Sequence, residues 1–376
     1  MTSSQLHIDL SAISDNYRTL HSLTRQTTKT AAAVKADGYG LGMEAVSGTL
    51  YQAGCKTFFT AQIEEAIALR AAFRDKNYDG AVIAVLEGPK AKDISLYEAH
   101  ALTPVINHPG QAAAIAAYQR QMETRLAAIL HIDTGMGRLG YGQDTHNFLT
   151  NDNSPLDELD LCLVMSHLAC ADEPANDYNR FQLEQFQILT ASFAGIPKSF
   201  SNSGGIFLPP SYHFDLTRPG IALYGAMPDP AMQNKHLKPV VSWHADIVQI
   251  RDLKKGECAG YGSIFTADAP TRLATIAAGY ADGYARALYQ PQSGNIARIE
   301  IAGKIVPLAG RVSMDLLIAD VTSLSDSELQ SADKACLLGP HYGLPEMAAD
   351  RDTISYEVLT GLGERLTRLY DGADTS

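Results

Sequence analysis

Thr30-Ala31-Ala32-Ala33-Val34-Lys35-Ala36-Asp37-Gly38-Tyr39-Gly40 is a run of small apolar residues that ends in a lysine and passes into a glycine-bearing turn. The run reads as a short buried strand, and the glycines let the backbone turn tightly and come close to a ligand. Lysine is rarely fully buried, so one at the end of an apolar strand asks for a reason. The plain reason is a side chain that snorkels out to water. The other is a Schiff-base nucleophile, because desolvation lowers the pKa of the amine.

The same pattern of apolar run, polar end and helix recurs along the first 225 or so residues. Strands are expected at 30–35, 56–60, 81–85, 102–106, 126–133, 161–167, 199–202 and 214–217. Helices fall between them, one over 12–25 with Ser11 as N-cap. Another runs over 177–193, where Leu183, Phe186, Leu189 and Phe193 share an apolar face. Eight strand–helix alternations fit an α/β fold of the closed parallel (β/α)8 TIM-type barrel better than a doubly wound open sheet, the runner-up. After Met227-Pro228-Asp229-Pro230 comes a polar, proline-bearing connector, and the periodicity becomes mostly two. Strands are expected at 241–251, 272–277, 296–301, 304–308 and 316–321, with Ala302-Gly303 as a hairpin turn and a closing helix over 357–369. The division predicted is a barrel over 1–230 and a mainly β domain over 231–376.

The chain's 376 residues are too many for one ordinary domain, and 45% apolar content suffices for real cores. A formal net charge of -12, with no stripe of Lys and Arg, argues against a nucleic-acid partner. Five cysteines without a C-x-x-C pair suggest reduced thiols, hence a cytoplasmic protein. No signal peptide is read in Met1-Thr2-Ser3-Ser4-Gln5, and no stretch approaches a membrane span.

In a parallel barrel the chemistry collects at the carboxyl ends of the strands. Lys35 follows the first strand there, Arg138 the fifth and His167 the sixth. Asn202-Ser203-Gly204-Gly205 follows the seventh and Arg218-Pro219-Gly220-Ile221 the eighth. Singly, His167 reads as structural and either arginine as a surface ion-pair member. Together they describe one rim. Ser203 and the backbone N–H groups of Gly220 and Ile221 suit a phosphate, and Tyr39 and Tyr356 can add phenolic hydroxyls. A lysine for an aldehyde beside a phosphate site matches pyridoxal 5'-phosphate, with no metal.

The chain resembles the alanine racemase family nearly end to end. The motif residues are 33–40, Asp133-Thr134-Gly135-Met136-Gly137-Arg138, Arg218-Pro219-Gly220-Ile221-Ala222-Leu223-Tyr224-Gly225, Gly279-Tyr280-Ala281-Asp282-Gly283 and Gly310-Arg311-Val312-Ser313-Met314-Asp315, in family order. The resemblance implies a homodimer in which each site takes Tyr280 and Met314 from the partner subunit. It implies a two-base interconversion of L- and D-alanine on a pyridoxal phosphate aldimine, with Lys35 serving the D-enantiomer and Tyr280 the L-enantiomer. Tyr280 needs a nearby positive field or donor network to act as a base near neutrality, for which His167 linked to Arg218 is the implied source. Arg218 would face the pyridine nitrogen, and Arg138 and Met314 the substrate carboxylate. The product D-alanine would supply peptidoglycan.

One position departs from the family. His131 stands where members often carry a lysine that becomes carbamylated and orients the arginine, and imidazole does not undergo that modification. Its default reading is a structural histidine. Rivals are a broader serine/alanine racemase, an amino-acid decarboxylase of similar fold, which should carry a carboxylate in place of Arg218, and a non-catalytic cofactor carrier, which needs no Tyr280.

Overall fold

The computed structural model describes residues 3–142, 154–227 and 237–372. By contacts the chain divides into two units. One holds Ile13–Lys238; the other joins the N-terminal residues through Ala12 to the chain from Pro239 onward. The expected connector at 228–236 lies outside the described residues.

The first unit is the barrel. Its strands are Lys29–Thr30, Ala32–Ala33, Thr57–Thr60, Val82–Val85, Thr103–Ile106, Ala127–His131, Asp160–Met165, Lys198–Ser199 and Leu216–Thr217. Every neighbouring pair is parallel. The first two are halves of one stretch interrupted at Ala31. Lys29–Thr30 pairs with Leu216–Thr217 and Ala32–Ala33 with Thr57–Thr60, which closes the ring. Ala31, Phe59, Ala84, Val105, Ile129, Leu163, Met165 and Leu216 fill its interior. Their neighbours Ile106, Leu130 and Val164 point outward into a second core shared with Phe186 of the helix Asp177–Leu189. Burial on both faces explains why these strands read as continuous apolar runs. Leu183, Leu189 and Phe193 pack against that second core. The helix starts under the Asn176 cap and ends at Leu189, short of the expected 193.

In the second unit the strand Val241–Leu253 is the hub. It pairs antiparallel with Ser4–Asp9, Lys334–Leu338 and Thr271–Ile276. The Ala302-Gly303 turn joins Arg298–Ile301 to Lys304–Pro307, with φ of 52° and 75° at the two turn residues, the twist a two-residue hairpin favours.

Three expectations are corrected. Ser4–Asp9 is a strand of the second unit, its Leu6 and Ile8 buried, so the barrel unit does not begin at residue 1. The first helix spans Leu10–Ser22, and Asp9, not Ser11, caps it, its carboxylate accepting the Ala12 N–H at 2.9 Å and the Ser11 hydroxyl at 2.6 Å. The closing helix 357–369 is instead a short helix, Ser355–Thr360, followed by the strand Thr367–Asp371, parallel to Ser4–Asp9. Gly361 and Gly363 interrupt the helix, and the Thr367-Arg368-Leu369-Tyr370 run then pairs with an open sheet edge.

Candidate active site

The chain after Lys35 turns left-handed. Ala36, Asp37, Gly38, Tyr39 and Gly40 have φ of 53°, 53°, 63°, 58° and 81°. Three of these carry a Cβ, and each such residue costs about 1–2 kcal/mol in this region. Side chains hold the turn in place: the Glu65 carboxylate accepts N–H groups from Ala36 at 2.6 Å and Ala61 at 2.8 Å, and Asp37 accepts the Met43 N–H at 2.8 Å. Lys35 is half-buried at the start of this turn. Burial first, and then the Arg138 charge, pull its ammonium below the ordinary lysine value, against a smaller upward pull from Glu65.

The turn swings Tyr39 back against the barrel rim. Its ring stacks on Tyr224 at 4.5 Å between centroids, and the Tyr224 hydroxyl donates to the Ala33 carbonyl at 3.0 Å. A Cβ on Gly220 would lie 2.1 Å from the Tyr39 hydroxyl oxygen, so this approach requires glycine. Ser203 Oγ accepts the N–H of Gly220 at 2.9 Å and of Ala222 at 3.3 Å. Tyr39, Ser203, Gly220 and the adjoining Ile221 thus form one cradle of small, hydrogen-bonding groups.

Arg218 is buried beneath that rim. Its guanidinium donates to the Ser166 carbonyl at 2.6 Å and to Ser199 Oγ, and lies 3.5 Å from His167 Nδ1. Burial pulls Arg218 down to about 10, which leaves it charged at neutral pH. His167 sits well below the ordinary histidine value, through burial and then the Arg218 and Arg138 charges. His131 is 8% exposed, and its Nδ1 lies 2.8 Å from Asn107 Oδ1. The Asn107 amide nitrogen donates to the Leu86 carbonyl at 2.9 Å, so its oxygen is the acceptor and His131 Nδ1 carries the proton. Burial, with the Arg218 and Arg138 charges, pushes His131 down to about 3.

A stability consequence follows for His131. The folded protein keeps its imidazole neutral to about pH 3, whereas the unfolded chain takes the proton near 6.5. The unfolded state binds the extra proton between those values. Stability is therefore full above 6.5 and falls on acidification, by up to about 1.4 kcal/mol per pH unit. His131→Gln can keep a donor to Asn107 and should flatten this slope by one proton in urea titrations at pH 7 and 5. Parallel slopes for the two proteins would refute the buried neutral imidazole.

Arg138 is exposed on the loop that follows Ala127–His131, and among the described residues it forms no hydrogen bond or ion pair. Asp133 shapes that loop, its Oδ1 accepting N–H groups from Gly135 at 2.9 Å and Met136 at 2.8 Å, and its Oδ2 that of Gly137 at 3.0 Å. The Arg138 charge acts on Lys35, and the Arg138 and Arg218 charges act on His131 and His167, so the structure gathers these five groups at one mouth.

In the second unit, Tyr280 and Met314 lie on two loops stacked backbone to backbone. The Tyr280 N–H donates to the Ser313 carbonyl and the Ala281 N–H to that of Met314, each at 3.0 Å. A Cβ on Gly279 would lie 2.3 Å from the Met314 carbonyl oxygen, so glycine permits the stacking. Both side chains stand out from the unit, 44% and 53% exposed. Tyr356 lies on the helix Ser355–Thr360 of this unit. Sequence reasoning assigned no role to Glu65, Asn107, Asp133 or Tyr224; Asp133 folds its own loop, whereas the contacts of the other three join segments that no local pattern connects.

The Alanine racemase, N-terminal domain profile matches residues 8–228, and the Alanine racemase, C-terminal domain profile matches residues 240–370. The chain is 45% identical over 368 residues to a catabolic alanine racemase of Agrobacterium fabrum, covering 98% of this chain and 92% of that protein. It is 40% identical to an alanine racemase of Brucella abortus over 99% and 95% of the two chains. Among solved structures, the alanine racemase of Bartonella henselae with covalently bound pyridoxal phosphate superposes with a TM-score of 0.91 at 36% identity, over 98% of this chain and all of that one. The biosynthetic alanine racemase of Pseudomonas aeruginosa gives 0.87 at 32%, over 99% and 100%. With both domain profiles matched in order and relatives of this identity along nearly its whole length, the chain belongs to the alanine racemase family.

Proposed function

We propose that this chain interconverts L- and D-alanine with pyridoxal 5'-phosphate held at the barrel mouth. The observation that carries the reading is the left-handed turn that follows the half-buried Lys35, its pKa depressed, and brings Tyr39 against Gly220 and the Ser203 hydrogen bonds. The residues fit the cofactor: Lys35 for its aldehyde; Tyr39, Ser203 and the N–H groups of Gly220 and Ile221 for its phosphate, with Tyr356 as a further hydroxyl; Arg218 for its ring nitrogen. When bound, the cofactor supplies an electron-withdrawing ring that acidifies the substrate Cα–H.

The chain's own groups do the rest. Lys35 Nζ, its charge disfavoured by burial, takes or returns a proton on the face used by D-alanine. Tyr280 Oη does so on the opposite face. Arg218 remains charged and carries two hydrogen bonds to barrel groups, so it gives no proton to the ring nitrogen and tempers the ring's pull on electrons. Arg138, without an ion-pair partner among the described residues, takes the substrate carboxylate, with the backbone at Met314 beside it. The exposure of Tyr280 and Met314 supports a homodimer in which these two residues complete the partner's site. No helix among the described residues is long and apolar enough to cross a membrane. The proposed setting is the cytoplasm, with D-alanine passing to peptidoglycan.

Two measurements test the reading together. Purified holoprotein should form D-alanine from L-alanine without releasing carbon dioxide, and borohydride reduction should fix the cofactor to the peptide containing Lys35. Carbon dioxide release would favour a decarboxylase, and label on another lysine would end the Lys35 assignment. L-Serine as an alternative substrate separates strict from broader specificity. Growth of a D-alanine auxotroph on this gene tests the peptidoglycan role.

A further inference from the structure

The helix Asp177–Leu189 turns one fully buried polar side chain toward the barrel mouth. Gln182 Oε1 accepts the Ala169 N–H at 2.8 Å, which assigns the orientation of its amide. Nε2 then donates in two directions, to the His167 carbonyl at 3.1 Å and to Thr134 Oγ1 at 3.2 Å. Thr134 Oγ1 also lies 2.8 Å from Ser166 Oγ, and the Ser166 carbonyl is the one that receives Arg218. One turn earlier on the same helix, the Tyr178 hydroxyl donates to the Gly135 carbonyl at 2.8 Å.

These bonds matter because of what they hold. Backbone bonds between Asp133 and Tyr141 and between Tyr141 and His131 close the base of the Arg138 loop, and Asp133 folds the loop upon itself. Neither contact ties the loop to the neighbouring strand end. Two links do: the Thr134 and Ser166 hydroxyls directly, and Gln182, which reaches Thr134 on one side and His167 and Ala169 on the other. Arg138 has no hydrogen bond of its own among the described residues, so its placement is inherited from the loop.

We propose that Gln182 is a positioning residue that sets Arg138 in register with His167 and Arg218, and so places the substrate carboxylate relative to the proton-transferring groups. The inference rests on Arg138 being the carboxylate ligand. Replacing this buried amide by an apolar side chain leaves the Ala169 N–H and the His167 carbonyl without their partner, while Thr134 keeps Ser166, which makes the linkage a sensitive one.

The test uses Gln182→Met and Thr134→Val in the holoenzyme, with propionate as a probe that carries the carboxylate and no amine. Propionate binding and the KM for both alanine enantiomers should weaken together, by about tenfold, the worth of roughly one well-placed hydrogen bond. The cofactor dissociation constant, followed by absorbance, should stay within about twofold, and the two losses should be less than additive in the double variant because the Gln182–Thr134 bond is common to both. Unchanged propionate binding, or cofactor affinity falling as far as propionate affinity, would overturn the positioning role. Should Gln182→Met fail to fold, Thr134→Val decides by comparison with Ser166→Ala, which removes only the hydroxyl pair: a larger loss in Thr134→Val supports the Gln182 link, and equal losses would overturn it. Arg138→Leu separates the two readings: if it leaves propionate binding intact, the carboxylate assignment itself fails. If it abolishes that binding while Gln182→Met and Thr134→Val do not weaken it, only the role of Gln182 fails.

Discussion

Tyr280→Phe is expected to lower racemisation in both directions by about 10²–10⁴-fold, the usual contribution of a positioned acid or base. D-Alanine should nevertheless still exchange its α-hydrogen with solvent. The two enantiomers present opposite faces to proton transfer, and the proposal gives Lys35 the one used by D-alanine. Removing the Tyr280 hydroxyl leaves that half of the reaction in place and blocks delivery to the other face. The ring itself remains, and a side chain 44% exposed has little packing to lose, so folding should be unaffected. Incubation in deuterium oxide with proton NMR separates the outcomes: deuterium enters D-alanine with retained configuration while L-alanine fails to appear. Equal loss of exchange and racemisation would refute a division of labour between Lys35 and Tyr280.

Mixing two inactive variants should restore activity. Lys35 lies in the barrel unit and Tyr280 in the other, and the proposal draws them from different subunits. Lys35→Ala and Tyr280→Phe should each be nearly inactive as pure dimers. A mixed dimer then holds one site with both native groups and one with neither. Random reassortment makes about half the dimers mixed, each with one working site of two, so activity should approach roughly a quarter of wild type. A tag on one variant verifies that subunits have exchanged. Tagged mixtures that contain both chains yet remain as inactive as either parent would place Lys35 and Tyr280 of one chain in the same site.

The barrel was legible because its signal is local. Apolar runs such as Ala127–His131 and Asp160–Met165 are buried on both faces, and the polar residues that end them mark the strand ends where loops must leave the core. The Ala302-Gly303 hairpin was legible for the same reason, since two residues decide a turn. The proposed site residues Lys35, Arg138, His167 and Arg218 were visible as unusual side chains at those ends. Ser4–Asp9 was not, although its alternation is local, because its worth as a strand comes from Val241–Leu253 and Thr367–Asp371, more than 230 residues away in the chain. The Lys35 turn shows the division within a single motif. Sequence determined that a lysine, a tyrosine and three small residues stand together, whereas only the fold decided that Ala36, Asp37 and Tyr39 adopt left-handed backbone. Alanine, aspartate and tyrosine do not prefer that conformation enough to announce it; Glu65 and Tyr224 hold it from elsewhere, and the missing Cβ of Gly220 leaves room for Tyr39. Gln182 is the same case on a helix. Its position beside Leu183 marks it only as a polar residue near an apolar face. Its three partners on two other loops exist because the closed barrel brings those strand ends to one helix, and hydrogen bonds between segments far apart in the chain leave no period in the sequence.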